Sequence, residues 1–537
     1  MNEKNIQPER PIGFWLFLLG SLILIATSNK YWAPFDEGIV SVAAQLVLKG
    51  KVLYRDVFMV MYPPGQVYVV SLIYRIFGPS LEIARLFTVF VQVLIAFLVY
   101  KMSDMMSGKL RYSVLAWLFT MTCLGIRMGT IPAPIWTGMA FALLSMFLFL
   151  THVKTGDFRK LIYAALTGGL TVLFRHDIGI FVFISIFLTL VISRYRLSAL
   201  IAFIFFWMIM PLSMAVYFYS NNALNDIWNS LVTFTFTHQN TAGIPFPPPC
   251  LNPNMIFHQS LHFIKVNQYY IPILVYVFVF VYLCIIYYRD RDFDTDERMA
   301  CAMLIFGILA FNQVRIRTDP AHLLTVIYPA VILFSFGMKR MNLLKGVRKF
   351  LMYPFKVYCY LIFALCVLLA IKNLDKGFKN VIKKPIRGDM VLTRFEGNGS
   401  IYVPKGEHED IIQVIKAVRT LTSKEEYIYI GNESHDVDAF GGTLLLYTLC
   451  DRKPCTKYYE ILPGLITMDR VRHEIARSLK ERVVNVLVLQ DIGLPKGPSG
   501  TAESGQNALD KFIHANYRMK KKIGRYYIYE RKGNFYR

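Results

Sequence analysis

The chain has 537 residues, of which 55% are hydrophobic, 15% aromatic and only 18% charged. That balance excludes an ordinary soluble domain, which carries more charge and less apolar surface. The formal net charge of +23 would suit nucleic acid, but the cations fall in short loops between apolar runs, so no nucleic-acid partner is expected.

Taken in order, the apolar runs predict about eleven membrane spans, near residues 12–28, 68–100, 113–126, 133–151, 160–174, 178–193, 197–219, 267–288, 299–312, 322–338 and 351–371. The first has no small-residue cleavage site and reads as an uncleaved helix. The second is longer than one crossing needs. Its start, 67–77, reads as a juxtamembrane helix, with the true span after Pro79. One set of loops is rich in lysine and arginine (Lys101, Lys109 and Arg111; Lys339, Arg340 and Lys345, for example). The alternate short loops carry only Arg127, Arg175, Arg315 and Arg317. The positive-inside rule then places the N-terminus in the cytoplasm and the chain in the plasma (inner) membrane as a multi-pass protein. The first loop (29–66), a proline-rich loop (221–267) and the C-terminal domain would lie outside.

The first outer loop is the most patterned stretch. It opens on Asp36-Glu37, continues as an amphipathic helix over 38–48, and offers Tyr54-Arg55-Asp56 before closing on Tyr62-Pro63-Pro64-Gly65. The proline run IPFPPPCLNP in the later loop cannot be regular helix or central strand, and reads as a stiff flap over the outer face. After residue 371 the composition becomes that of a soluble domain. Helices are expected at 409–421 and 468–480, and strands at 427–431, 483–489 and 526–531. Together they make a small extracytoplasmic α/β domain over 372–537, beside a membrane module over 1–371. Cys450 and Cys455 would lie in it, where a small disulfide loop is one reading. The basic run Lys520, Lys521, Lys522 and Arg525 reads as a solvated strand edge, with contact to an anionic lipid or glycan as the alternative.

Several of these residues suit chemistry. A carboxylate at the interface, Asp36 or Glu37, has its pKa raised by partial burial and can take a proton from an acceptor. Equally, Asp36 precedes a helix and could cap it. If a divalent ion takes part, Asp36 or Glu37 is where it would sit. Arg55, Arg127, Arg175, Arg315 and Arg317 lie on the face where cations are disfavoured, which points to an anion such as phosphate. The alternative is local ion pairing, with Asp177 and Asp319 as partners. Tyr62, His176, Asp177, Asp319 and His322 are candidate supporting residues.

The residues also resemble a family. FDEG, the helix ending in KG, LYRD, YPPG, and Phe77-Gly78 with Arg85 are similar to the N-terminal signature of the GT-C superfamily of integral-membrane glycosyltransferases. The nearest branch contains the protein O-mannosyltransferases and the lipid A aminoarabinose transferases. FRHDIG, RTDPAHLL and LYTLCDRKPCTKYYEILPG resemble motifs of bacterial and archaeal members. The resemblance implies a GT-C-like fold, a polyprenyl-phosphate-linked sugar donor, and inversion at the transferred sugar with Asp36 as general base. Basic residues or a metal would stabilise the departing lipid phosphate. Met61-Tyr62 stand where the aminoarabinose branch has a lysine. The histidine-rich motifs of eukaryotic mannosyltransferases are not evident.

The expected function is therefore transfer of a sugar at the outer membrane face to an envelope glycan, lipid or protein. Two other classes fit the same topology: a transporter or flippase of lipid-linked sugars, and a membrane-anchored binding protein. A transporter should place ionisable groups near mid-membrane; here they gather at span ends.

Overall fold

A computed structural model describes residues 11–59, 62–124, 129–238, 243–250, 252, 259–340, 349–436, 441–462, 464–492 and 507–533. Each predicted span coincides with a helix: Ile12–Thr27, Leu81–Ser107, Leu110–Cys123, Pro134–Thr155, Phe158–Val172, His176–Ile192, Leu197–Ser220, Tyr270–Asp290, Thr295–Ile316, Pro320–Arg340 and Lys349–Phe378. Seven of these are long and apolar enough to cross a membrane. The other four run from 14 to 17 residues. The chain is a multi-pass helical membrane protein with a strand-containing C-terminal domain.

Local signals explain where these helices begin. Asp294 and Glu297 form a reciprocal capping box at the start of Thr295–Ile316. Asp319 accepts from the amides of Ala321 and His322 at 2.9 and 3.0 Å, fixing the start of Pro320–Arg340. Gly65–Phe77 is the separate juxtamembrane helix expected before the second span. It buries Val67, Val70 and Tyr74 and leaves Leu72, Ile76 and Phe77 exposed, an apolar stripe suited to lipid.

The C-terminal domain holds a hairpin, β1 (Met390–Phe395) with β2 (Gly399–Pro404), and a five-stranded mixed sheet. The sheet order is β4 (Lys453–Pro454), β3 (Tyr427–Asn432), β5 (Val486–Gln490), β7 (Tyr526–Arg531), β6 (Tyr517–Ile523). β3 runs parallel to β4 and β5; β7 runs antiparallel to β5 and β6. The basic run lies on β6, the sheet edge, with Lys520, Lys521 and Lys522 exposed. Charge there blocks further strand pairing.

Two expectations need correction here. The amphipathic helix expected over 38–48 runs over Pro34–Leu48 and is buried on every side along its middle. Residues from Glu37 to Ala44 are buried, and Ile39, Val40 and Val42 share one core with Leu444, Leu445, Val486 and Ile528 of the C-terminal domain. The Tyr459 hydroxyl donates to the Ile39 carbonyl at 2.7 Å, and the Tyr402 amide to that of Asn29 at 2.9 Å. The first loop and the C-terminal domain therefore fold together on one face of the helical bundle. Second, Cys450 and Cys455 are both buried free thiols, and burial pushes each up to about 12. They are packing residues and not a disulfide loop.

Candidate active site

Pro34 starts the Asp36 helix, and its fixed φ suits the first helical position. The N-cap is Ala33, without a side-chain cap, so Asp36 sits inside the first turn and caps nothing. Asp36 keeps an exposed side chain. Among the described residues its carboxylate makes no hydrogen bond and no ion pair. Protein nevertheless surrounds it: burial is the main cause raising its pKa above the usual carboxylate value, Glu37 adds to the rise, and Arg317 opposes it. The side chain is thus open to solvent and backed by a wall of protein.

Glu37 does not share that wall. It is 1% exposed, and both its oxygens are held by Arg85, at 2.6 Å each from Nε and Nη2. This corrects the reading of Glu37, beside Asp36, as a candidate base, because adjacent helical positions point about 100° apart. Asp36 and Glu37 are not placed to grip one metal ion together. Among the described residues no group of three or more His, Cys, Asp or Glu is so placed either.

Tyr62 is the second accessible but enclosed side chain. Burial raises its pKa first, and its hydroxyl lies within electrostatic reach of Arg175, Asp36, Arg317 and Glu460. The Tyr54 hydroxyl holds its carbonyl at 2.8 Å. The turn that follows docks through Gly65, whose amide donates to the Leu173 carbonyl at 2.7 Å. A Cβ at Gly65 would stand 2.6 Å from that oxygen, so the approach requires glycine. This contact brings the YPPG turn against the FRHD segment, and with it Tyr62 beside Arg175.

Arg175 is 8% exposed and forms a two-point ion pair with Asp177, at 3.1 and 2.8 Å. Gln313, from another helix, bridges the pair, accepting from Arg175 at 2.7 Å and donating to Asp177. His176 starts the same helix, with its Nδ1 buried and, among the described residues, without a hydrogen-bond partner. Arg317 pairs with Asp319 at 2.8 Å but keeps a side chain 35% exposed. Asp319 also holds His322 Nδ1 at 2.8 Å. Burial alone would raise the Asp319 pKa; His322 and Arg317 bring it down to about 2.

The described part of the proline-rich loop lies over this cluster. Ile244 forms a β-bridge with Arg317, and its carbonyl accepts from the Thr318 amide at 3.1 Å. The Tyr270 hydroxyl donates to the Pro247 carbonyl at 2.7 Å.

The structure thus brings together Asp36, Tyr62, Arg175, Asp177, Arg317, Asp319 and His322. It leaves two candidates outside. Arg55 pairs with Asp56 at 3.0 Å and donates to the Asn221 carbonyl at 2.7 Å, at the far end of the first loop. Arg315 is exposed and bonded to Asn312 on its own helix. Arg127 lies outside the described residues. Sequence reading missed Gln313 and Glu460. Gln313 stands one turn before Arg317, a spacing that marks a shared helix face. Glu460 lies in the stretch YYEILPG, far along the chain, and nothing local signals its place.

Comparison of folds finds similarity to the crystal structure of ArnT from Cupriavidus metallidurans bound to undecaprenyl phosphate, at 12% sequence identity and a TM-score of 0.49, over 97% of this chain and 98% of that one. The apo ArnT structure gives the same values. The Archaeoglobus fulgidus oligosaccharyltransferase in complex with zinc and sulfate is similar at 12% identity and a TM-score of 0.47, over 95% of this chain and 72% of that one. No family model and no curated protein matches the chain. At such identities no residue role passes from those proteins to this one.

Proposed function

We propose that the protein is an inverting glycosyltransferase of the GT-C type. It moves a sugar from a polyprenyl-phosphate donor to an envelope glycan, lipid or protein, with the Asp36 face extracytoplasmic. The observation that carries this is the unpartnered Asp36 carboxylate, enclosed yet open, within electrostatic reach of an accessible guanidinium, Arg317.

In this reading the acceptor oxygen or nitrogen attacks the anomeric carbon while its proton passes to Asp36. The bond from that carbon to the phosphate oxygen breaks, and the polyprenyl phosphate leaves with the electron pair. One base suffices because the lipid phosphate needs no protonation to depart. Arg317 is the side chain with surface to offer that phosphate. Arg175, nearly covered and held by Asp177 and Gln313, fixes the ground beneath Tyr62. Charge developing in a partly dry cavity is stabilised more strongly by such pre-placed groups than it would be in water. Asp319 and His322 hold Arg317 in place.

The test is transfer from a panel of labelled polyprenyl-phosphate sugars in proteoliposomes, wild type beside Asp36→Asn. Sugar release by the wild type alone supports the reading. Equal activity of the two proteins would overturn Asp36 as the base. Translocation of a lipid-linked sugar without transfer would assign the transporter class.

A further inference from the structure

A second polar hollow, of about 440 Å³, lies between the far end of the first loop and the C-terminal domain. Six of its lining side chains are cations and two are carboxylates. Both carboxylates are spent: Asp56 pairs with Arg55 at 3.0 Å, and Glu474 with Lys457 at 4.0 Å. Lys49, Lys51, Lys453 and Arg482 make no ion pair among the described residues. Two of them, Lys453 and Arg482, converge on one ring, standing 5.9 and 4.5 Å from the centre of Tyr427. Burial, then Lys453, lowers the pKa of Lys49, and the nearby Asp451 only partly opposes them.

We propose that this hollow binds a phosphate group, gripped by Lys49, Lys51, Lys453 and Arg482. Four cations around one concavity, none in a direct ion pair among the described residues, repel each other, and an oxyanion with several acceptor oxygens relieves that repulsion. Arg482 stacked on Tyr427 presents a planar fork to such an anion, and the lysines supply point charges. The site is separate from the Asp36 cluster. Lys49 closes the helix that Asp36 opens, and at about 1.5 Å per residue the two stand roughly 20 Å apart. Arg55, on the rim, touches the Asn221 carbonyl, where the apolar helix Leu197–Ser220 ends. A headgroup phosphate at the membrane surface and a free phosphate present the same chemistry there. The proposal does not rest on the transfer reaction.

Two arms test it on the full-length protein. Calorimetry in non-ionic detergent measures binding of inorganic phosphate. Thermal melts in phosphatidylcholine nanodiscs, with and without phosphatidylglycerol, measure stabilisation by an anionic headgroup. Each arm compares wild type with Lys453→Gln/Arg482→Gln and, on the opposite wall, Lys49→Gln/Lys51→Gln. A control, Lys520→Gln/Lys522→Gln on the exposed edge strand, removes the same charge elsewhere. The expected result is saturable binding that weakens at least about tenfold in both pocket variants and not in the control. Phosphate binding in detergent assigns the free ion; stabilisation by phosphatidylglycerol alone assigns the headgroup. Absence of effect in both arms overturns the site. So does an equal loss in the control, which would mean a diffuse field, or no loss in either pocket variant.

Discussion

Arg85 holds Glu37 by both carboxylate oxygens, 2.6 Å each, with both side chains at 2% exposure or less. The same guanidinium donates to the carbonyls of Ser28 at 2.9 Å and Tyr31 at 2.8 Å. One arginine at the start of the second span thus ties down the end of the first span, the entry to the loop, and the residue next to Asp36. Removing one partner of a buried pair leaves the other charged and unsatisfied, at a cost of about 3–5 kcal/mol. Arg85→Met should therefore unfold more readily by that amount in a chemical melt. Adding Glu37→Gln should restore part of the loss. Glu37→Gln alone should lower stability more than it lowers the rate per folded molecule.

Asp36→Asn should do the opposite. A folded-state pKa above the unfolded value means that the protonated form suits the fold better than the ion. Stability from this group is present in full below the unfolded pKa and is lost as pH rises through the folded one. At neutral pH a neutral amide removes that penalty. The variant should melt at or above the wild-type temperature while transfer falls to background. A lowered melting temperature would mean that Asp36 holds the fold.

The same shift sets the acid limb of the rate. A base must be ionised to act, so kcat/KM should rise with pH through a midpoint above the roughly 4 of an ordinary aspartate. Arg317 pulls that midpoint down. Arg317→Gln should then move the limb to higher pH as well as lower the plateau. A merely structural arginine would lower the plateau and leave the midpoint in place.

Much of the bundle was legible because hydropathy reports directly on lipid exposure. The separate juxtamembrane helix before Leu81 could be read for the same reason. The clustering of candidate residues was legible where one loop is strongly patterned, at Asp36 and Tyr62, and where arginines break the charge bias, at Arg175 and Arg317. Glu37 misled because two adjacent carboxylates look alike in sequence while a helix sends them to different faces. Arg55 misled because an arginine near the site in sequence lies at the other end of a 15-residue helix in space. The docking of the first loop under the C-terminal domain left no local trace. It depends on contacts such as Tyr459 to Ile39, between residues hundreds of positions apart.

The thiols of Cys450 and Cys455 offer a simple check on that docking. Both are buried, and burial holds each thiol near 12, well above the usual value. Neither should react with maleimide in the folded protein at neutral pH. Both should react fully on denaturation without reductant, as read by intact mass. Protection of both after denaturation would reveal a disulfide.

Gly38→Ala tests the interface itself. Alanine in a helix interior is favoured over glycine by about 1 kcal/mol, so a free helix would gain. Here a Cβ would stand 2.5 Å from that of Leu444 and 2.6 Å from the Leu445 amide nitrogen. The nitrogen is backbone and cannot swing aside, so overpacking should outweigh propensity, at a net cost of about 1–3 kcal/mol. Because the first loop and the C-terminal domain share a core, the loss should appear as premature maleimide labelling of Cys450, which packs in that core. The Asp36 end of the helix should shift with it, lowering transfer while leaving the acid limb where it is in the wild type. Unchanged labelling together with a raised melting temperature would show that the helix stands apart from the domain.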